Sequence, residues 1–165
     1  MRSSLINTMM ESSTDHVSVA AVMLKQKSQH AWGNDFWILK GLVPGYSSPE
    51  LATLESQGEV HIWPDLTLQL YPLHCDSYYH NLTSEQPKVY LVASQDDETL
   101  SPLLITVDYD EAASYMETGE QVFNAPLSEQ LCQWLEAFVL EHYKPEQPKK
   151  RRRKQWHGSE QKHGR

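Results

Sequence analysis

The segment Leu66–Ala93, LTLQLYPLHCDSYYHNLTSEQPKVYLVA, holds the densest apolar and aromatic sequence in the chain. Its first residues alternate leucine with more polar neighbours, which is typical of a half-buried strand. Pro72 ends that strand because proline has no N–H to donate to a ladder. Its last residues, Val89–Val92, are apolar at every position and predict a central strand covered on both faces. Between them, DSYYHNL predicts a short helix.

Asp76 stands where the N-cap of this short helix is expected, since a carboxylate accepts from the free N–H groups of the first turn. Tyr79 and Leu82 are three residues apart and share one helix face. The segment as a whole therefore predicts strand, helix, strand.

Other strands are predicted on both sides of this segment. Pro64-Asp65 predicts a turn that separates a third strand from the one beginning at Leu66. Glu120–Pro126 is polar and predicts a connection without regular structure. A short helix is expected within Pro49–Gln57. The four further predicted strands are Val17–Met23, Asp35–Val43, Glu59–Trp63 and Leu103–Val107.

Two further helices follow. Asp108 and Glu111 form a capping-box pattern, in which each side chain meets the other residue's free N–H. The expected buried face of that helix is Ala112, Tyr115 and Met116, and Gly119 is placed to end it in the left-handed conformation. In the last helix, Ser128 is the cap, and large apolar residues recur at helical spacing: Leu131, Trp134, Leu135, Phe138, Val139 and also His142.

The predicted fold class is α+β: a curved antiparallel sheet or small partly open barrel of about five to seven strands, closed by the C-terminal amphipathic helix. Antiparallel pairing is expected because parallel strands need long crossovers. The expected organisation is a disordered N-terminal arm over residues 1–15, a single α+β domain over residues 16–144 and a basic, disordered tail over residues 145–165.

Charge is distributed unevenly along the chain. Residues 144–165 hold nine of the 14 Lys+Arg and two of the 22 Asp+Glu, a net charge of +7, whereas the other residues carry a net charge of −15. An acidic body repels nucleic acid, so only the tail is expected to attract it.

Two cysteines, Cys75 and Cys132, are too few and too far apart in sequence for a disulfide framework or a zinc knuckle. The N-terminal sequence has no apolar run that resembles a signal peptide, and no stretch reaches the roughly 18 apolar residues of a membrane span. A cytoplasmic protein is expected.

The order of landmarks along the chain is similar to that of an uncharacterised bacterial family, DUF3305. The similarity extends over about Val17 to Lys154, and the landmarks are Trp32, Trp37, Val43-Pro44-Gly45, Tyr79, Asn81, Leu82, Pro87, Val89–Val92, Glu111, Ala112, Tyr115, Gly119-Glu120, Trp134, Phe138, Val139 and His142. Genes of this family stand beside those of formate dehydrogenase and other molybdopterin oxidoreductases. The resemblance implies an accessory role in making or assembling such an enzyme, through contact with an oxidoreductase subunit or a co-encoded accessory protein.

Sequence patterns for catalysis are weak. The only local group of metal-ligand residue types is His74, Cys75, Asp76 and His80, without the spacing of a zinc site; no metal and no cofactor is expected. The glycines form neither a phosphate loop nor a nucleophile elbow. The chain is therefore not expected to be an enzyme.

Two sets of residues are candidates for binding. Trp32, Trp37 and Trp63 are either packing residues or aromatic docking points for a partner. The basic run Lys149, Lys150, Arg151, Arg152, Arg153 and Lys154, followed by Trp156, is either a solvated tail or a binding segment for phosphates, anionic lipid or an acidic partner. The first hypothesis is a non-catalytic assembly factor acting by protein contact, and the alternative is a nucleic-acid- or phosphate-binding module that uses this tail.

Overall fold

The structure is a computed structural model that describes residues 15–43, 53–97 and 99–145. The predicted N-terminal arm and basic tail lie outside these residues, apart from Asp15 and Pro145. Six strands form one mixed sheet in the order β2-β1-β3-β5-β4-β6. They are β1 His16–Gln26, β2 Phe36–Val43, β3 Glu59–Gln69, β4 Lys88–Asp96, β5 Thr99–Thr106 and β6 Gln121–Pro126.

Every strand pair is antiparallel except β3 and β5, which run parallel and meet through Leu68 and Ile105. The connection from β3 to β5 includes a helix and all of β4, so it is long enough for a parallel crossover. β2 and β6, at the two ends of the order, approach each other and nearly close the sheet into a barrel. The fold class expected from sequence is confirmed, with this one parallel pair added.

Three helices complete the described fold: α1 Cys75–Thr83, α2 Tyr109–Met116 and α3 Glu129–His142. A short 3-10 turn, Pro72–His74, leads into α1, and residues 53–55 are also helical. Ser128 caps α3 as predicted, because its Oγ accepts from the N–H of Leu131. No helix in the described ranges has both the length and the apolar character that crossing a bilayer requires.

The core lies between the inner face of the sheet and helices α1 and α3. Fully or nearly fully buried side chains from all these elements meet there, and each large one contributes roughly 1.5–3 kcal/mol through burial. They include Met23, Leu39, Leu68, Tyr78, Leu91, Ile105, Ala125, Leu135 and Phe138. α3 therefore closes one side of the barrel, as its sequence pattern indicates.

Two segments differ from the sequence prediction. Pro64 and Asp65 make no turn: they form a bulge within the single long strand β3, where both residues lie opposite Ala20 and Asp65 takes a positive φ of 60°. Residues Gln121–Pro126 form strand β6, which pairs with β4 along its whole length. β6 forms because the edge of β4 offers its backbone N–H and C=O groups for pairing. The polarity of residues 121–126 alone does not indicate this partner.

Helix ends also differ in detail. Asp76 lies in the first turn of α1 rather than at its N-cap, which is His74, and no side chain caps this helix. Met116 is 49% exposed, so the buried face of α2 is provided by Ala112 and in part by Tyr115. Gly119 takes the predicted positive φ, 88°, just after α2.

Candidate functional site

Asp108 is the centre of a polar cluster at the N-terminus of α2. Its side chain is buried, and its Oδ1 accepts hydrogen bonds from the backbone N–H groups of Asp110 at 2.9 Å and Glu111 at 3.3 Å. Ser77 Oγ in α1 donates to the same carboxylate at 2.6 Å. Oδ2 lies 2.8 Å from Nδ1 of His74. One carboxylate therefore joins the 3-10 turn, α1 and α2.

Glu111 completes only half of the predicted capping box. Its Oε2 accepts from Thr106 Oγ1 at 2.6 Å, and that hydroxyl in turn accepts from the N–H of Asp108 at 3.0 Å. Glu111 thus reaches the end of β5 through Thr106 instead of meeting the cap residue's N–H directly. The cluster links α2 to β5 as well as to α1.

The cluster also brings three metal-ligand types together. One ligand atom each from His74, Asp108 and Glu111 lies within 4.8 Å of the others, the only such group in the described part of the chain. His74 Nδ1 is shielded from solvent and makes no well-directed hydrogen bond, although Asp108 is close. However, both carboxylates already accept hydrogen bonds, and the positive end of α2 opposes a bound cation. The arrangement fits a structural polar contact at the start of α2 better than a metal centre.

The four residues His74, Cys75, Asp76 and His80, which were grouped by sequence, do not form one site in the structure. Cys75 is buried in the core, where burial raises the pKa of its thiol. Asp76 lies 3.5 Å from His80 and accepts a hydrogen bond from Tyr143 Oη at 3.2 Å. Only His74 belongs to the cluster around Asp108. Its partners follow it by more than 30 residues, so local spacing gave no signal for them.

Ser77, Asp108 and His74 do not form a nucleophile relay. A serine nucleophile needs an imidazole between itself and the carboxylate, to take its proton. Here the carboxylate stands in the middle, and the serine hydroxyl donates to it directly. The geometry therefore positions helices rather than activating a hydroxyl.

A polar cleft of about 660 Å³ lies beside this cluster, between α1, the start of β4 and α2. Three carboxylates and one ammonium line it, together with two tyrosine rings. The lining residues are Asp76, Ser77, His80, Asn81, Ser84, Glu85, Gln86, Lys88, Tyr90, Tyr109 and Asp110. We refer to it as the acidic cleft.

Asn81 fixes one wall of the acidic cleft. Its Nδ2 donates to the carbonyl oxygens of Lys88 at 2.8 Å and Val107 at 2.9 Å, and its Oδ1 accepts from the N–H of Lys88 at 2.9 Å. Three internal hydrogen bonds use most of the bonding capacity of one amide side chain. Asn81 thus ties α1 to both β4 and the end of β5.

A second depression, of about 340 Å³, runs between α1 and α3 and is mainly apolar. Its lining residues are Tyr79, Leu82, Thr83, Pro87, Cys132, Glu136, Val139 and Leu140. Leu140 is 78% exposed and Tyr79 is 40% exposed. Burial raises the pKa of the Cys132 thiol, and the carboxylates of Glu129 and Glu136 raise it further. We refer to this depression as the apolar groove.

The structure brings two of the three candidate docking tryptophans together. Trp37 and Trp63 have ring centroids 6.0 Å apart and pack, partly buried, against the core. Lys25 Nζ lies 5.6 Å from the ring of Trp37. Trp32 is 98% exposed in the loop before β2. Trp37 and Trp63 are thus partly covered by the core, whereas Trp32 is almost fully exposed, and a docking role for the three tryptophans stays a prediction.

The basic run from Lys149 to Lys154 and Trp156 lies outside the described residues. Sequence reasoning identified neither the acidic cleft nor the apolar groove. Asp108 was recognisable as a helix cap, but the helices that flank these two depressions are assembled only by the tertiary fold.

Comparison with known proteins agrees with the landmarks in the sequence. Residues 18–153 match the family DUF3305, described as a protein of unknown function. No curated protein matches the chain significantly, and neither does any solved structure. The match extends over nearly the same range as the landmarks, from β1 into the basic run. The chain therefore belongs to the DUF3305 family.

Proposed function

We propose that this protein is a non-catalytic accessory or assembly factor that acts by contacting another protein. The proposed partner is a subunit of a formate dehydrogenase or another molybdopterin oxidoreductase, or an accessory protein encoded beside it. The observation that carries the proposal is the apolar groove between α1 and α3, with Leu140 exposed on its rim.

Leu140 breaks the one-sided pattern of α3. The large apolar residues of that helix at positions 131, 134, 135, 138 and 139 are buried, whereas Leu140 is 78% exposed. It lines the groove with Val139 and, across from α3, with Tyr79 and Leu82 of α1. Leu140 and Tyr79 are therefore exposed beside the same groove, and exposed apolar side chains that lie together mark a protein-contact site more often than an isolated leucine does.

The polar cluster around Asp108 supports contact rather than chemistry. The carboxylate of Asp108 receives hydrogen bonds from two backbone N–H groups and one hydroxyl, all of them from the protein itself. A general acid or base has to reach a proton on the substrate. The hydrogen bonds of Asp108 instead stabilise the junction of α1 and α2.

The choice of partner rests on the sequence resemblance alone. The resemblance implies that genes of this family stand beside formate dehydrogenase genes, and genes that act together are commonly adjacent in bacteria. The family match supports membership of DUF3305. The molybdoenzyme partner is proposed in addition, from the resemblance.

An alternative function uses the tail. The run Lys149–Lys154 followed by Trp156 has the composition of a phosphate-contacting segment, with an aromatic ring that could stack on a base. This alternative requires binding to nucleic acid that weakens steeply with salt and that disappears when the six basic residues are replaced by glutamine. A gel-shift assay at low salt that shows no bound species eliminates it.

The function is tested by gene deletion and complementation in the native cell, with formate oxidation as the readout. Deletion should lower activity, and the wild-type gene should restore it. Leu140→Asp places a charge on the groove and should fail to restore activity. Leu73→Asp is the matched control, because Leu73 is 94% exposed and does not line the groove. Unchanged formate oxidation after deletion, or full rescue by Leu140→Asp, contradicts the proposal.

A further inference from the structure

We propose that the acidic cleft between α1 and α2 binds a Lys/Arg-rich peptide, and that its occupant is the basic run Lys149–Lys154 of the same chain. This inference concerns a different surface from the apolar groove and does not depend on the proposed function.

The charge of the cleft favours a cationic occupant. Its lining holds three carboxylates, Asp76, Glu85 and Asp110, against the single ammonium of Lys88. Asp76 interacts with His80 and Tyr143, but within the described part of the chain neither Glu85 nor Asp110 forms an ion pair. Two carboxylates therefore remain open to bidentate hydrogen bonds from guanidinium groups.

Two tyrosines give the cleft a surface suited to arginine. The rings of Tyr90 and Tyr109 meet edge to face with centroids 5.7 Å apart, and Tyr109 is 55% exposed. A planar guanidinium stacks on such a ring while it donates to a neighbouring carboxylate. Tyr109 and Asp110 both line the cleft, so it offers a ring and a carboxylate to the same occupant.

The chain leaves the described structure close to this cleft. Tyr143, two residues before the last described residue Pro145, donates from Oη to Asp76 in the cleft lining at 3.2 Å. Lys149 follows Pro145 by four residues, a reach of up to about 13 Å, and Lys154 follows it by nine residues, up to about 30 Å. The nine-residue helix α1 is only about 13 Å long, so the basic run is long enough to extend from Asp76 in its first turn to Glu85 just beyond its end, and Asp110 lines the same cleft.

The tether makes this chain's own tail the favoured occupant. A covalent link of only a few residues gives the tail an effective concentration of the order of millimolar at the cleft, whatever the protein concentration. The two partners are also opposite in charge, since residues 144–165 carry a net charge of +7 and the other residues −15. A basic segment from another molecule has to displace the tail.

Zero-length cross-linking of the full chain tests the proposal. A carbodiimide joins a lysine amine to a carboxylate only when the two are in contact, and the linked peptides are identified by mass spectrometry. Lys149, Lys150 and Lys154 should link to Asp76, Glu85 and Asp110 within the monomer. These links should be at least about fivefold more abundant than links to other carboxylates, and they should be lost at about 0.5 M salt, where screening is strong.

A matched carboxylate set provides the control. Asp35, Glu55 and Glu59 line a pocket at the other end of the barrel and should link to the tail only at background level. Equal linking to both sets overturns the proposal, because it shows a non-specific attraction. Links found only in a dimer also overturn it, because the occupant is then a second copy.

A second measurement avoids any risk of misfolding, because it changes only the tail. Replacing all six basic residues of the run with glutamine should shift the backbone amide NMR signals of Ser77, His80 and Tyr109. Signals near Asp35 and Glu59 should stay in place. Unchanged signals at the cleft contradict the inference.

Discussion

The ring of Tyr143 lies flat on the ring of Tyr79, with centroids 4.9 Å apart and planes inclined by 7°. Tyr79 belongs to α1, and Tyr143 is the residue that follows α3. The same Tyr143 donates its hydroxyl to Asp76 of α1. This stacked pair therefore joins the end of α3 to α1, between the apolar groove and the acidic cleft.

Tyr143→Ala should lower the urea midpoint of unfolding, because it removes the stacked ring and uncovers Tyr79. Tyr143→Phe keeps the ring and loses only an exposed hydrogen bond, so its midpoint should remain close to that of the wild type. Equilibrium unfolding followed by tyrosine and tryptophan fluorescence measures both. Equal midpoints for the alanine and phenylalanine variants would show that the stack does not stabilise the fold.

Asp108→Ala should destabilise the protein by about 2–3 kcal/mol, since it removes a helix cap and leaves the Ser77 hydroxyl without its acceptor. Asp108→Asn keeps an acceptor oxygen and should cost about 1 kcal/mol. Asp110→Ala is the control, with a loss of about 0.5 kcal/mol or less, because Asp110 is exposed and both a helix-dipole interaction and an ion pair are weak at an exposed position. Urea denaturation ranks the three variants; a cost for Asp108→Ala no larger than that for Asp110→Ala refutes the capping role.

Asn81→Ala should cost about 2–3 kcal/mol, because three hydrogen bonds to β4 and β5 are lost together. Asn81→Asp should cost at least as much near pH 7, since a carboxylate then faces the carbonyl oxygens of Lys88 and Val107. Asn34→Ala, at an exposed loop position, is the control and should change stability by less than about 0.5 kcal/mol. Thermal unfolding of the three variants at pH 7 measures the differences, and an Asn81→Asp variant more stable than Asn81→Ala argues against this hydrogen-bond assignment.

Tyr78 should make the protein less stable at high pH. Burial raises the pKa of Tyr78 to about 12, and the carboxylates of Asp108 and Glu111 add to the shift. Below pH 10 the phenol of Tyr78 is protonated in both the folded and the unfolded chain, so its ionisation does not lower the free energy of unfolding there. As pH rises from 10 towards 12, only the unfolded chain releases this proton, and stability falls by up to about 2–3 kcal/mol.

Tyr78→Phe removes this titration and leaves the other tyrosines unchanged. Its free energy of unfolding should therefore fall less steeply than that of the wild type between pH 9.5 and 11.5. The variant also loses the acceptor for the N–H of Tyr71, which lowers stability by a similar amount at every pH. Parallel curves for the two proteins would contradict the raised pKa.

The sequence was sufficient to predict an element correctly wherever the interactions that form it lie within a few residues of one another. Ser128 and the apolar spacing of α3 predicted that helix correctly, and Gly119 takes the predicted left-handed backbone. Asp108 caps α2 as expected. In each case the energetic term is local: a cap, a positive φ or one helix face.

The sequence predictions are wrong where pairing with a residue far along the chain determines the local structure. Pro64-Asp65 has the composition of a turn, but pairing with β1 keeps β3 continuous and leaves only a bulge. Residues 121–126 are polar enough for a loop, but the free edge of β4 makes them a strand. The acidic cleft and the apolar groove depend on how α1 meets α2 and α3, which no sequence spacing specifies.

Affinity capture from native cells tests the central claim most directly, with the full chain tagged and expressed at its native level. The wild-type protein should enrich a molybdopterin oxidoreductase subunit or a co-encoded accessory protein, Leu140→Asp should reduce that enrichment at least about tenfold, and Leu73→Asp should match the wild type. Recovery of only ribosomes and nucleic acid, or enrichment of the oxidoreductase that Leu140→Asp leaves unchanged, would contradict a partner docked in the groove between α1 and α3.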